Sequence, residues 1–476
     1  MAKTTDEKAE RTPSAIFEVR LLTNKLQEKK LLELLEAGRK FNNAMLGEAS
    51  ERRKKMKSDP EYQRIIALPK RNEDEKAIRT AAFKVLNKKY GFTDADMQSY
   101  GLQYRDALPE FKILGTHVLQ KLATRAFRAV QKVAFGKAKK VHFKRFNERI
   151  SIEGKNNETF IQYRDDTAII AKMHIRCKIR QNDLYYQHML KHRIKYCRLV
   201  TRKIGTVDKF FLQITFEGFP YQKVQLGTLH TALDIGPSTI ATVNKEQATL
   251  ENFCDELINR SKEIKRLQRE AARKLRLGNP QNLDDRGAVK KGAKKWHRSN
   301  SWRKLKDKIA DLHRRQAYQR KQLHGIMINR IVRQSNKVST EKLSYKAFQR
   351  LYGRSINTRA PAGFETRLQN KMLQLGGQFQ HINTYKTKLS QTCLCGEVKK
   401  KGRNERWHRC PVCGLFMQRD LFSAYLALFV SRSDNLNLKR ANKAYPVYHP
   451  RMSDQLLYLK KIKKEQPKKI NKTFGL

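Results

Sequence analysis

Residues 229–243, LHTALDIGPSTIATV, contain two short apolar, β-branched runs on either side of Gly236-Pro237-Ser238. That pattern predicts two strands joined by a tight turn. The first strand is apolar on both sides of Asp234, as a strand buried inside a sheet would be. A carboxylate in such a setting is costly to bury and needs a reason to be there. Further along, Val338 to Leu343 reads as a strand, Phe364 to Leu375 as a helix and Gln380 to Tyr385 as a strand. Strands alternating with helices make this half α/β. Residues 251–333, which interrupt it, form a long and very basic helical pair, broken at Gly278-Asn279-Pro280 and around Gly292.

The upstream half has a different pattern. Residues 15–21 alternate through Phe17, Val19 and Leu21 and predict an opening strand. Leu31, Leu34, Leu35, Phe41 and Met45 then recur at helical spacing, as do Val118, Leu119, Leu122, Ala126, Phe127, Val130 and Val133 between residues 116 and 138. Strand patterns return in 167–177 and 210–216. The expected arrangement is a β-barrel of residues 15–21 and 141–225 with a helical domain, 22–140, inserted into it. The chain is therefore read as multidomain, α+β followed by α/β. The polar N-terminus, 1–14, is expected to be disordered. The lysine-rich tail, 436–476, is expected to be partly disordered or to lie on nucleic acid.

Charge narrows the function. The 476 residues carry 102 Lys and Arg against 45 Asp and Glu, a formal net charge of +57. Such an excess repels itself unless a polyanion neutralises it, and counterion release makes nucleic acid the leading partner. Neither a signal-peptide core nor an apolar run long enough to span a bilayer is visible, so the expected setting is the cytoplasm, away from membranes. Four of the seven cysteines fall in residues 393–413, a metal-site distribution. Cys393-x-Cys395 and Cys410-x-x-Cys413, each followed by glycine (Gly396, Gly414), have the layout of a structural zinc ribbon of four thiolates. The first pair is one residue shorter than usual, which leaves His408 as an alternative ligand.

Two further acids stand in comparable settings, Glu341 in Val-Ser-Thr-Glu-Lys-Leu and Asp420 in Arg-Asp-Leu-Phe-Ser-Ala, just after the cysteines. Taken singly, each is an ordinary hydrogen-bond acceptor, and Asp420 also suits a helix N-terminus. Their order is more telling. An Asp-Ile-Gly strand, a basic helical insertion, a Glu-Lys-Leu strand, Leu389-Ser390-Gln391-Thr392-Cys393, the cysteine pairs and residues 419–424 together resemble the transposon-encoded TnpB nucleases and their descendants, the compact type V CRISPR effectors. Residues 40–45 (KFNNAM) are similar to that family's first recognition helix, and 120–146 to its Gln-then-aromatic helix that ends in a Phe-Lys segment.

The resemblance implies a β-barrel wedge with an inserted helical recognition domain. These would precede a RuvC-like RNase H fold (226–388 and 415–435) that carries a zinc-ribbon insertion (389–414). It implies an RNA-guided DNA endonuclease in which Asp234, Glu341 and Asp420 hold Mg²⁺ or Mn²⁺ and the cysteines hold Zn²⁺. The partners would be a guide RNA and a double-stranded DNA target next to a short flanking motif, with one or two copies of the chain on each RNA. Candidate nucleic-acid contacts are Lys262, Lys265, Arg266, Arg269, Arg273, Lys294, Lys295, Trp296, Arg298, Trp302, Arg303, Arg314 and Arg315. The alternatives are an RNA-guided DNA-binding protein of the same fold that regulates without cutting, and a guide-free RNA-binding protein.

Overall fold

The computed structural model describes residues 12–476 except 147, 293, 403, 468 and 469. Residues 1–11 of the N-terminal segment expected to be disordered lie outside the described residues, whereas Ser14 already opens a strand. The chain divides into two compact units, residues 1–221 and 222–476.

In the first unit, β1 (Ser14–Leu21) leads into α1 (Lys25–Lys57), α2 (Pro60–Ala67), α3 (Glu73–Lys89), α4 (Asp94–Ala107) and α5 (Thr116–Ala134). A reciprocal cap starts α1. The Gln27 backbone N–H donates to Asn24 Oδ1 (2.8 Å), and the Asn24 N–H donates to Gln27 Oε1 (3.1 Å). The helix then buries Leu31, Leu35, Phe41, Met45 and Ala49 against α5, whose own stripe is Val118, Leu119, Leu122 and Ala126. Gly38 permits a close approach, since a Cβ there would stand 3.0 Å from Ile152 Cγ2.

Seven strands complete this unit: β1, β2 (Ile152–Glu153), β3 (Ile161–Arg164), β4 (Thr167–Ile170), β5 (Met173–Lys178), β6 (Ile194–Ile204) and β7 (Val207–Glu217), with the short helix α6 (Leu184–Leu190) before β6. Their order is β2-β6-β7-β1-β5-β4-β3. The expected barrel is nearly reached. Among the described residues no ladder joins the edge strands β2 and β3, but β3 curls back against β6.

The second unit is built on a five-stranded sheet of order β10-β9-β8-β11-β12. Its strands are β8 (Leu229–Ile235), β9 (Thr239–Val243), β10 (Ala248–Asn252), β11 (Ser335–Glu341) and β12 (Gln378–Ile382). β8, β9 and β10 form an antiparallel meander, and β11 and β12 run parallel to β8. Between β10 and β11 lie the basic helices α7 (Ser261–Leu277) and α8 (Asn300–Gln334). α9 (Tyr345–Arg359) and α10 (Pro361–Gln374) lead to β12, and the single turn α11 (Thr384–Thr387) follows it. α10 covers one sheet face with Phe364, Leu368 and Met372, against Leu233, Ile240 and Val338. The other face is covered by α12 (Arg419–Ala427), which follows the hairpin of β13 (Trp407–Arg409) and β14 (Phe416–Gln418).

The tail departs from expectation. Residues 438–465 form a 28-residue helix, α13 (Leu438–Glu465), capped by Asn437, whose Oδ1 accepts from the Arg440 N–H at 2.9 Å. Ala441, Met452, Leu456 and Leu459 are buried beside Tyr425 and Leu426. The stretch is rich in lysine and contains Pro446 and Pro450, both unfavourable to a helix on local grounds; packing on the sheet outweighs them. Met452 is fully buried, so Met452→Ala is expected to destabilise the second unit by about 2–4 kcal/mol in chemical denaturation. A disordered tail would show no change. Among the described residues, no helix is long and apolar enough to cross a membrane.

Candidate active site and metal centre

Asp234 is the penultimate residue of β8 and Glu341 the last of β11. The two strands are parallel, with Leu233 level with Thr340, so the next residues, Asp234 and Glu341, emerge side by side at the carboxyl ends of the strands. Such an edge is where open α/β sheets place ligands. Asp420 joins from another direction. It lies in the first turn of α12, a helix that packs on β8 and β9 and is capped by the Gln418 side chain, which accepts from the Leu421 N–H at 2.9 Å. Arg419 Nε stands 3.3 Å and Arg406 Nη1 4.0 Å from the Asp420 carboxylate.

The other two acids act on Asp234. Desolvation, then the charge of Asp420, then that of Glu341 hold the Asp234 carboxyl well above the usual carboxylate range, and Arg419 offsets part of this. Desolvation pushes Glu341 up to about 7. Ser423, one turn beyond Asp420, places a buried hydroxyl beside Asp234 that offsets a further part of the rise at Asp234. Repelling carboxylates drawn from two neighbouring strand ends and one helix start suit hard divalent cations such as Mg²⁺ or Mn²⁺. Among the described residues, the acids are not drawn into a single tight cluster with all ligand atoms within 4.8 Å of one another, as the cysteines are.

The cysteines do converge. Cys393, Cys395, Cys410 and Cys413 place all four sulfurs within 4.8 Å of one another. The Cys393–Cys413 and Cys395–Cys410 Sγ separations are 3.5 and 3.6 Å. Sulfurs bonded at about 2.3 Å to one tetrahedral Zn²⁺ would lie about 3.8 Å apart, so the set fits zinc. The glycine after each pair takes the left-handed conformation, φ +94° at Gly396 and +71° at Gly414, and closes its knuckle with a bond back to Cys393 O or Cys410 O, both 3.1 Å. Backbone N–H groups of Cys413 and Val412 draw the Cys410 thiol down to about 6. The short first pair is thus no obstacle, and His408 is not in the ligand set. Its Nδ1 lies 2.5 Å from Lys401 Nζ, and its ring packs 4.5 Å from Phe422.

The candidate nucleic-acid residues fall into three groups. Lys262, Lys265, Arg266, Arg269 and Arg273 are exposed on α7, opposite its buried Ile264, Leu267 and Ala271, and Lys295, Arg298 and Arg303 are exposed as well. Lys294 and Trp296 are half-buried. Trp302 packs on the small core of Ile264, Leu267, Ile309 and Leu312, with Arg298 5.4 Å above its ring. Arg314 and Arg315 both bond Asp311, at 2.6 and 2.7 Å. These last three residues have partners inside the protein that the charge pattern did not reveal.

Sequence reasoning also missed a cluster beside the acids. Glu365 on α10 is buried. It accepts from the Tyr345 hydroxyl through Oε2, and its Oε1 lies 2.5 Å from His381 Nε2. None of the three residues belongs to a local motif, so only the packing of α9, α10 and β12 could have disclosed them.

Residues 362–426 match the family model described as Cas12f1-like, TNB domain. This stretch contains all four cysteines, Glu365, His381 and Asp420, and it bears out the likeness to compact Cas12-type and TnpB-type effectors. No curated protein matches the sequence. Among solved structures, a Cas12f1–sgRNA–target DNA complex is 11% identical and aligns over 87% of this chain and 98% of its own, with a TM-score of 0.39. A CRISPR-Cas12f ternary complex is 11% identical over 86% and 98%, with a TM-score of 0.27. CasPhi-2 (Cas12j) bound to crRNA and phosphorothioate DNA is 13% identical over 89% and 93%, with a TM-score of 0.28. Superpositions this loose define neither the domain arrangement nor the site.

Proposed function

We propose that the chain is an RNA-guided DNA endonuclease with a RuvC-like site. The observation that supports this reading is that Asp420 on α12 and Glu341 at the end of β11, far from Asp234 in the chain, both raise the proton affinity of Asp234 near the end of β8. An antiparallel meander extended by two parallel strands, with acids ending β8 and β11, supports an RNase H-like assignment. Asp234, Glu341 and Asp420 would hold the divalent ions, which when bound supply charge neutralisation at the phosphodiester and an acidified water. The four-cysteine module would hold Zn²⁺ structurally, since four thiolates leave no open position. The exposed cations of α7 would grip phosphates, and sequence would be read by guide pairing beside a short flanking motif.

The net charge of +57 leads to the expectation that purified protein carries a structured RNA. That RNA, sequenced and reprogrammed to a plasmid target, should direct Mg²⁺-dependent cleavage in a library of randomised flanks, with only a subset cut. Equal cutting by salt-stripped, RNA-free protein would refute guide dependence. Guide-directed binding with no cutting would favour the regulatory alternative.

A further inference from the structure

We propose that the groove lined by α5 and residues 138–155 of the first unit binds one phosphodiester strand of nucleic acid. The proposal goes beyond the nuclease reading, since it holds whether or not the acids of the second unit cut. Every contact expected from the charge pattern, Lys262 to Arg315, falls in that second unit.

The groove encloses about 880 Å³. Lys121, Arg125, Arg128 and Lys132 follow one another along α5 at helical spacing and line it from one face of the helix. At 1.5 Å per residue the row is about 16 Å long, the rise of about five nucleotides at 3.4 Å each. Lys140 and Lys144 line the groove from the segment between α5 and β2. That segment is fixed in place. The Lys144 N–H donates to Asn43 Oδ1 at 2.9 Å, and Asn43 Nδ2 and Arg39 Nη1 donate to Lys144 O at 2.7 and 2.8 Å. Arg125 Nη1 in turn donates to Ser151 O at 2.8 Å.

The charge balance points to a polyanion. Nine cations and two acids line the groove, and both acids are already engaged. Glu153 pairs with Arg198, and Asp94 accepts from Thr124 Oγ1 at 2.6 Å and Gln98 Nε2 at 3.2 Å. A solvated helix face commonly offsets a cation with an acid one turn away, as Glu36 does for Arg39 on α1. α5 contains no acid, and its four charged residues are the four cations that line the groove. Desolvation holds the proton affinity of Arg125 below the usual arginine value, with Glu153 raising it and Arg198 lowering it, so an anion in the groove relieves a cost carried by the free protein. Single charges repeated over about 16 Å match a phosphodiester strand, whereas a small anion would meet only part of the row.

The test is lysine footprinting of the full-length chain, washed free of RNA, with acetic anhydride and mass spectrometry. It is run on the chain alone, with an oligouridine and with a short DNA duplex. Lys132, Lys140 and Lys144 are expected to be shielded by bound strand, and Lys29 and Lys30, exposed on α1, are not. Shielding by the oligouridine alone assigns the groove to RNA, by the duplex alone to DNA, and by both to either backbone. Arg128→Gln/Lys132→Gln removes two exposed cations. If each meets one phosphate, affinity at about 0.1 M salt should fall about 25-fold for the oligouridine or about 60-fold for the duplex, and the slope of log affinity against log salt should flatten by about 1.4 or 1.8. Lys29→Gln/Lys30→Gln, with the same loss of charge, should leave both quantities near wild type. Absence of shielding by either probe, wild-type affinity and slope in Arg128→Gln/Lys132→Gln, or equal losses in the two double variants would each overturn the proposal. If the wild type never cuts DNA and the oligouridine still shields these lysines, the nuclease reading fails and the groove stands.

Discussion

Asp234→Ala is expected to lower guide-directed cleavage by on the order of 10³-fold or more while leaving RNA and DNA binding intact. A metal site supplies several kcal/mol of transition-state stabilisation, and about 4 kcal/mol corresponds to roughly 10³-fold in rate. The same residue costs the metal-free protein stability, because its buried charge faces two others. Asp234→Asn should therefore melt higher than the wild type in chelator, by about 0.5–2 kcal/mol, the usual exchange of stability for function. Mg²⁺ should raise the wild-type melting temperature and not that of the variant.

The sign of the pH dependence follows from Glu341. With its folded value pushed up to about 7 from an ordinary 4.5, the folded chain takes up this proton before the unfolded chain does. Metal-free stability contributed by this group thus falls as pH rises from about 4.5 to 7, and Glu341→Gln should remove that slope. Calorimetry of both proteins across this range measures it. A variant curve parallel to the wild type would show that Glu341 ionises as it does in water.

The second large effect concerns the cysteines. Cys410→Ser, or removal of zinc by a strong chelator, is expected to unfold the 389–418 module, because structural zinc contributes about 10–16 kcal/mol in isolated zinc-finger peptides. Purified wild type should contain one zinc per chain, and the variant much less. Limited proteolysis should then cut within 389–418 before it cuts the sheet.

The damage should reach the acids. The Arg419 N–H bonds Arg406 O at 2.8 Å, His408 packs on Phe422, and Trp407 Nε1 donates to Gly475 O at 2.8 Å. Loss of the module frees the start of α12 and so displaces Asp420, and cleavage should fall by more than about 10-fold, since small misplacements of catalytic groups are expensive. Zinc-free protein that cut at the full rate would show that the module does not position the site.

Much of this was legible from local chemistry. The strand around Asp234, the turn at Gly236-Pro237-Ser238, the helix of 116–134 and the cysteine spacing were readable because hydrophobic period and turn residues act over a few positions. The helix in the tail was not legible because α13 is marginal by its own composition and exists through burial of Met452 and Leu456. Trp302, Arg314 and Arg315 were read as candidate nucleic-acid contacts, and the partners they have within the protein, the α7–α8 core and Asp311, do not show in a charge pattern.

By itself, then, the sequence determined which residues could do chemistry: three acids in unfavourable settings, four thiols at knuckle spacing, and a cationic excess in need of a polyanion. Only the tertiary structure decided which of them meet. Parallel pairing of β8 with β11 and the packing of α12 bring together acids 107 and 79 residues apart in the chain. The packing of α10 against α9 and β12 likewise assembled Tyr345, Glu365 and His381, for which no local pattern existed. Proximity across such separations is set by sheet register and core packing, which depend on the whole unit and leave no periodic trace around any single residue.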